Sequence, residues 1–167
     1  MIKDKKINVL LNTPYLKIKK KIIPRIATIY TGPPDLFFKY KYGKLNWRSL
    51  QFKFKTQRKR KIQECVQINY PNDYKYTRSV EIKHVTKQKS KFSTMSYEFP
   101  QSKGDPYYPI NNERNRKLFN KYKKLIKKAE KKDIYFEGRL AKYRYLNMDE
   151  VIECALILFN KLKKKYK

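Results

Sequence analysis

Apolar and polar residues alternate in short runs along the first two thirds of the chain, a pattern typical of strands that bury one face. The runs that predict strands are 7–11, 26–30, 45–54, 66–70, 78–84 and 95–99. Polar connections separate the last four runs, so we expect them to form an antiparallel sheet with one covered face. Within 45–54 the apolar positions change parity, which predicts a β-bulge near Ser49 and Leu50.

After Pro109 the apolar residues recur at the spacing of a helix. An amphipathic helix that begins at Asn111 or Asn112 is predicted, with the inner residues Leu118, Tyr122, Leu125, Ile126 and Ala129. A brief strand at 134–136 follows. The segment 147–150 resembles a capping box and opens a last helix with the inner stripe Met148, Val151, Ile152, Ala155, Phe159 and Leu162. The fold class is therefore α/β in an α+β-like form: an antiparallel sheet, then a helix, a short strand and a C-terminal helix.

Composition narrows the class of protein. With 167 residues, 40% hydrophobic and 15% aromatic, the chain is one ordinary domain at most and too apolar for a disordered tail. Its net charge is +29, and most of its 43 basic residues are lysines. Lysines occur in almost every segment together with Asn, Ile and Tyr, which indicates compositional drift more than a selected nucleic-acid surface rich in arginine. Affinity for phosphate that is independent of nucleotide sequence follows from the charge alone.

A basic nucleic-acid-binding protein is nevertheless the alternative interpretation, with 55–61 (KTQRKRK) and the C-terminal tail as its contacts. The cysteines, Cys65 and Cys154, share no metal-ligand spacing, and His84 is the only histidine, so we expect no metal site. Free cysteines suit a reducing compartment. The N-terminal residues contain no apolar run long enough for a signal peptide or a membrane span, so a cytoplasmic protein without membrane contact is expected.

Residues suited to holding phosphates occur in the segments 47–49, 103–112 and 137–149. They combine arginine forks and tyrosine hydroxyls, and the last of them ends at a helix N-terminus, which attracts anions. Neither a nucleophile with its base nor a pair of carboxylates stands out. If the chain takes part in chemistry, we expect another group to supply the reactive atom.

The segments YTGPPDLFFKYKYGKLNWRSLQF (30–52), YTRSVEIKH (76–84), GDPYYPINNERN (104–115) and EGRLAKYRYLNMDEVI (137–152) occur in that order. In sequence and order they resemble the C-terminal half of prokaryotic-type UDP-galactopyranose mutase, from about Ile7 to Leu162. The resemblance implies an isomerase that interconverts UDP-galactopyranose and UDP-galactofuranose, a precursor of cell-surface glycans. In that family reduced FAD attacks the anomeric carbon, UDP departs and returns, and no net redox change occurs.

The resemblance also implies roles for individual residues. Arg78 and Arg48 correspond to catalytic arginines, at the diphosphate and near the flavin and sugar respectively. The implied substrate-binding residues are Arg78, Tyr108, Tyr145, Tyr107 as the second of its pair, and Asn69. The implied cofactor-binding residues are Arg139, Gly138, Arg48, Asn147 and Met148. The chain departs from the family at Asn147, where Asp is usual, at Ile82, where His is common, and at Trp47, where Tyr is usual.

The family's N-terminal half carries the dinucleotide-binding glycines, and no GxGxxG spacing occurs among the 4 glycines here. The expected parts are 1–34 as strands that lead into the sheet domain, 35–110 as the substrate-binding sheet and 111–167 as the helix–strand–helix that completes an FAD-binding domain. Because the GxGxxG spacing is missing, we expect the dinucleotide-binding half to be absent. FAD would bind only when a separate N-terminal-half chain is present. The expected substrate is UDP-galactose, and nucleic acid would bind only non-specifically through charge.

Overall fold

The computed structural model describes residues 4–166. Its elements, in chain order, are α1 (Tyr15–Ile18), β1 (Thr28–Tyr30), α2 (Pro34–Phe37), β2 (Trp47–Gln57), β3 (Gln67–Asn69), β4 (Arg78–Glu81), α3 (Lys83–Thr86), β5 (Ser93–Gln101), β6 (Tyr108–Pro109), α4 (Glu113–Glu130), β7 (Ile134–Phe136) and α5 (Met148–Lys165). They form two compact units. The helical unit contains the described residues up to Lys44 and from Lys117 onward, and the sheet unit contains Leu45–Arg116.

The helical unit is built around a small aromatic core. Its buried residues are Tyr30, Phe37, Ala129, Phe136 and Ala141. The rings of Tyr30, Phe37 and Phe136 lie with centroids 4.8 to 5.4 Å apart in tilted and edge-on contacts, the arrangement that aromatic quadrupoles favour. In the same unit β1 pairs with β7 as a two-stranded parallel sheet.

Helix α4 confirms the predicted amphipathic helix. Asn112 lies just before its first residue and accepts the backbone N–H of Asn115 through its side-chain oxygen at 2.8 Å, as an N-cap does. Tyr122 and Ala129 on its inner stripe are buried. The predicted strand at 134–136 is confirmed as β7.

Tyr122 fixes the turn that follows α2, and we expect Tyr122→Phe to lower the free energy of unfolding by about 1–3 kcal/mol. Its fully buried hydroxyl donates to the Gly43 carbonyl at 2.7 Å and accepts the Tyr42 N–H at 3.1 Å. The phenylalanine would leave both backbone groups without this partner. Urea denaturation measures the loss. Tyr40→Phe, at an exposed tyrosine in the same segment, should change stability by less than about 0.5 kcal/mol, and equal losses in both variants would contradict this role.

The sheet unit contains a five-stranded antiparallel sheet in the order β3-β4-β5-β2-β6. The predicted antiparallel sheet is thus confirmed. The predicted bulge near Ser49 is wrong, because the β2–β5 register runs without interruption from Ser49 opposite Gln101 to Gln57 opposite Ser93. Residues 47 and 48 pair with β6 instead, so β2 changes its neighbour rather than its parity. The apolar side chains of Phe52 and Phe54 simply lie on the more exposed face.

The strand predicted at 7–11 and the buried stripe predicted for α5 are not found. An apolar segment is buried only where another part of the protein packs against it. Residues 7–11 form no strand, and Leu10 and Leu11 are 67% and 79% exposed. Helix α5 forms, but only Leu158 is buried, so the predicted inner stripe is wrong. Met148, Ile152 and Phe159 from that stripe are among its exposed residues. A third correction concerns 82–84, which leave the strand: β4 ends at Glu81 and His84 lies in α3.

Candidate functional site

A row of directly opposed residues crosses the sheet and contains two of the predicted site residues. Asn69 on β3 is opposite Arg78 on β4, Arg78 is opposite Glu98 on β5, and Glu98 is opposite Phe52 on β2. Because directly opposed side chains project from the same face, these four share one face of the sheet. The structure therefore brings Asn69 and Arg78 together.

The Arg78 guanidinium is held from two sides. Its Nε donates to the Asn69 side-chain oxygen at 2.9 Å, and its Nη1 lies 3.4 Å from a Glu98 carboxylate oxygen. Its Nη2 has no partner among residues 4–166. A third of the Arg78 side chain is exposed, so the oriented guanidinium faces solvent and has N–H groups available for a ligand. Such a fork is suited to two oxygens of a phosphate or diphosphate group.

Arg48 and Tyr108 lie at the β2–β6 end of the same sheet. Arg48 precedes Phe52 by four positions, so strand alternation places it on the face that carries Arg78. It is directly opposite Tyr108, which is half-buried. The ring of Tyr107 lies edge-on against Phe52 at 5.8 Å between centroids. The substrate residues predicted in 45–116 thus occupy one connected region of this sheet.

Glu98 and Phe52 were missed by the sequence reasoning, although both contact predicted site residues. Nothing in the local sequence around either of them indicates a ligand. The signal that would have found them is register, because the partner of Arg78 in an antiparallel pair with 95–99 must come from that strand. The register itself is a property of the folded sheet.

In the helical unit, Arg139 organises the loop that leads to α5. Its Nε and Nη2 donate to the Leu146 carbonyl at 3.1 and 2.7 Å, and its guanidinium carbon lies 4.6 Å from the centre of the Tyr145 ring. Tyr145 is 50% exposed. The structure therefore brings Arg139 and Tyr145 together and gives Arg139 two hydrogen bonds inside the protein.

The loop begins at Gly138, whose backbone φ of +94° lies in a region that residues other than glycine rarely adopt. A Cβ at this position would contact nothing within 4 Å, so the glycine serves the turn and not a close approach. Glu137 accepts the Gly138 N–H at 3.1 Å and pairs with Lys142 at 2.6 Å. Burial lowers the pKa of Lys142, but the adjacent Glu137 outweighs this and holds the pKa above its ordinary value.

The start of α5 carries the capping box predicted at Asn147. The Glu150 carboxylate accepts the Asn147 N–H at 2.7 Å, and Arg144 lies 3.3 Å from the same carboxylate group. The first turn also contains Asp149, so negative side chains already offset the positive end of the helix. Met148 is 82% exposed, and no partner for its backbone N–H or that of Asp149 is found among residues 4–166.

The sheet unit also contains a buried carboxylate that the sequence did not single out. Glu81 is fully buried and accepts the Ile62 N–H at 3.0 Å, the Gln63 N–H at 2.9 Å and the Ser93 hydroxyl. His84 Nε2 lies 3.3 Å from it and 2.9 Å from the Gln63 carbonyl, which makes His84 structural. Burial raises the pKa of Glu81, but the Ser93, Gln63 and Ile62 donors and His84 outweigh it and lower the pKa to about 2.

Within residues 4–166, no group of three or more His, Cys, Asp or Glu side chains is arranged to hold a metal ion. Across the same residues, none of the helices has the length and apolar content needed to cross a bilayer. Cys65 and Cys154 are both free thiols.

Comparison with known proteins identifies the chain's family. The protein-family model for UDP-galactopyranose mutase matches residues 1–145. The chain belongs to the UDP-galactopyranose mutase family. It is 39% identical over 133 residues to the UDP-galactopyranose mutase of Mycoplasma genitalium. This match covers 74% of this chain and 32% of the relative.

Other mutases give the same result. A probable UDP-galactopyranose mutase of Klebsiella pneumoniae is 40% identical over 133 residues, covering 76% of the chain and 34% of the relative. The dTDP-fucopyranose mutase of Escherichia coli is 39% identical over 135 residues, covering 75% of the chain and 35% of the relative. The chain thus spans about a third of the length of the curated mutases it matches, at their C-terminal portion.

Proposed function

We propose that this chain forms the substrate-binding portion of a UDP-galactopyranose mutase, which interconverts UDP-galactopyranose and UDP-galactofuranose with reduced FAD. A portion equivalent to the N-terminal part of the relatives would hold most of the flavin. The observation that carries the proposal is the oriented Arg78 fork in a chain that belongs to the mutase family. The free cysteines suit work in the reducing cytoplasm, where we place the protein.

The sheet face would bind the diphosphate. Arg78, oriented by Asn69 and Glu98, would pair with phosphate oxygens through its outward N–H groups. Tyr108 would donate its hydroxyl to the same phosphates, with Tyr107 as a further candidate. The family resemblance makes Tyr145, in the loop before α5, a further proposed phosphate-binding residue. When UDP departs, negative charge grows on the diphosphate, so a fixed cation there stabilises the transition state more than the ground state. Arg48, on the same face as Arg78, would serve the sugar and flavin side.

The start of α5 would contact the flavin. The N–H groups of Met148 and Asp149 are donors that suit the carbonyl oxygens of an isoalloxazine ring, and Arg139 with Gly138 shapes the loop before them. The acidic first turn suits a neutral or hydrogen-bonding group better than a phosphate. Asn147 would add a polar side chain where the family usually has a charge. Bound FAD supplies the nucleophile, and this chain's residues position the ring and the leaving diphosphate.

The helical unit exposes the kind of surface that another polypeptide covers. Exposed apolar residues concentrate in 7–11, around β1 and on α5, and Ile23 and Met148 reach 90% and 82% exposure. Parallel strands occur mainly inside larger sheets with both faces covered, yet here β1 and β7 form a pair. Both features support a complementary portion, equivalent to the N-terminal part of the relatives, that adds strands and covers α5.

Co-expression with the N-terminal portion of a relative tests this proposal. The N-terminal portion of the Mycoplasma genitalium mutase, up to the start of its match, would be produced together with this 167-residue chain. We expect the two to copurify with a flavin absorbance near 450 nm, and to isomerise UDP-galactopyranose after dithionite reduction. Each chain alone should be colourless or nearly so.

A parallel assay with dTDP-fucopyranose identifies the preferred nucleotide sugar, since both activities occur among the relatives. The control is the same co-expression with Arg78→Ala, which should copurify and bind flavin but turn over substrate far more slowly. A lone chain that is yellow and active, or a copurified pair that turns over neither sugar nucleotide, would contradict the proposal.

A further inference from the structure

A hollow in the sheet unit is lined mainly by basic residues. One part, of about 650 Å³, is lined by Arg60, Lys83, Gln88, Lys89, Ser90 and Lys91. An adjoining part of about 240 Å³ shares Arg60, Lys83 and Gln88 and adds Lys61, Glu81, His84 and Lys87. We call the two parts together the basic cleft. Positive side chains from the segment before β3 and from α3 and the loop after it thus converge on one volume.

The cleft is held in shape by hydrogen bonds. Lys83 donates its ammonium protons to the Ser90 carbonyl at 2.6 Å and the Phe92 carbonyl at 2.9 Å, which fixes the loop that carries Lys87, Lys89 and Lys91. The carboxylate in its lining, Glu81, accepts hydrogen bonds from backbone and hydroxyl donors within the protein. The Glu81 carboxylate is therefore already hydrogen-bonded within the protein. The basic side chains of the cleft outnumber the acidic ones.

The basic cleft is separate from the site around Arg78. Arg78 and Glu81 are the first and last residues of β4, so they project from opposite faces of the sheet, about 10 Å apart along the strand. None of the residues that line the cleft belongs to the row formed by Asn69, Arg78, Glu98 and Phe52. An anion bound in the cleft would therefore be a different ligand molecule from the one bound at Arg78.

We propose that the basic cleft binds inorganic polyphosphate. Several cations within one hollow favour a ligand whose negative charges are close together, because Coulomb attraction between groups outside the Debye length is screened at physiological salt. Sites for single-stranded nucleic acid add aromatic rings on which bases stack, and no Phe, Tyr or Trp is among the residues that line this cleft. The chemistry thus favours closely spaced phosphates over a stacked strand.

Titration of the full 167-residue chain with sodium tripolyphosphate, by calorimetry at about 0.15 M ionic strength, tests the proposal. We expect the tightest binding event to take up one tripolyphosphate per chain. The triple variant Arg60→Gln, Lys87→Gln, Lys89→Gln should weaken binding at least tenfold. The control triple Lys121→Gln, Lys124→Gln, Lys128→Gln removes the same charge from exposed positions of α4 and should weaken it less than twofold.

Two further readouts keep the test decisive. Amide chemical-shift changes in the unmodified chain should concentrate at 60–61 and 83–91, whatever the stability of the variants. A short oligothymidylate should bind more weakly than tripolyphosphate and lose the same affinity in both triples. Equal weakening of tripolyphosphate by the two triples, or shifts spread over the surface, would mean diffuse charge attraction and overturn the site. A selective loss of oligothymidylate in the cleft triple would identify a phosphodiester strand instead and overturn the choice of ligand.

Discussion

Glu81→Ala is expected to lower the free energy of unfolding by about 3–5 kcal/mol, the largest stability loss we predict for a single substitution in this chain. The fully buried carboxylate receives the N–H groups of Ile62 and Gln63 and the Ser93 hydroxyl. Alanine would leave these donors buried without an acceptor and would free the segment around Gln63 that covers this face of the sheet. Urea denaturation followed by circular dichroism measures the loss.

Glu64→Ala is the matched control, because Glu64 is an almost fully exposed carboxylate near the segment held by Glu81 and makes only a 3.7 Å contact with Lys61. It should change stability by less than about 0.5 kcal/mol. Glu81→Gln keeps the shape but replaces one acceptor oxygen with a donor, so its loss should lie between the two. A Glu81→Ala loss no greater than that of Glu64→Ala would refute the structural role.

The pH dependence of stability provides a second signature of Glu81. Its pKa is about 2 in the folded chain and 4.5 in its ordinary state. The unfolded chain therefore binds the proton first as the pH falls. The stabilisation from the carboxylate is fully present above pH 4.5 and is lost as the pH falls toward 2. In Glu81→Gln this contribution to acid sensitivity should disappear, which melting curves between these two pH values would detect.

Arg78→Lys should lower kcat/KM of the reconstituted two-chain mutase by about 100-fold. Lysine keeps the positive charge but has no planar fork, and it cannot reproduce the Nε–H bond to Asn69 while still facing a phosphate. The oriented pair of donors would be lost at the proposed diphosphate site. Steady-state turnover of UDP-galactopyranose, with flavin content measured in the same samples, is the required measurement.

Arg58→Lys is the control for this substitution, since Arg58 is an exposed arginine just beyond the end of β2 and outside the row of site residues. It should leave kcat/KM within twofold. Flavin content should be equal in both variants, which separates a loss at the substrate from a loss of cofactor. Retention of more than a third of the activity by Arg78→Lys would contradict the proposal that the Arg78 guanidinium binds the diphosphate.

Local sequence was sufficient where an element depends mainly on its own residues. Helix α4 and its Asn112 cap, the capping box at Asn147 and strand β7 all follow from spacing and from side chains that reach their own backbone. Within β2 the same reasoning failed, because Phe52 and Phe54 are apolar but exposed, so the apolar pattern changes parity without a bulge in the register. Periodicity records which side chains share a face, and it carries no information about the strand that lies alongside.

The sequence by itself determined the family, through motifs whose residue types and order persist although the chain spans only about a third of the length of its relatives. It also determined most of the helices and strands, because hydrogen bonding within a segment and hydrophobic spacing are local properties. Only the tertiary structure decided that Glu98 and Asn69 orient Arg78, that Glu81 is buried among donors, and that cations converge on the basic cleft. These contacts join residues far apart in the chain, and register and burial exist only once the strands have packed.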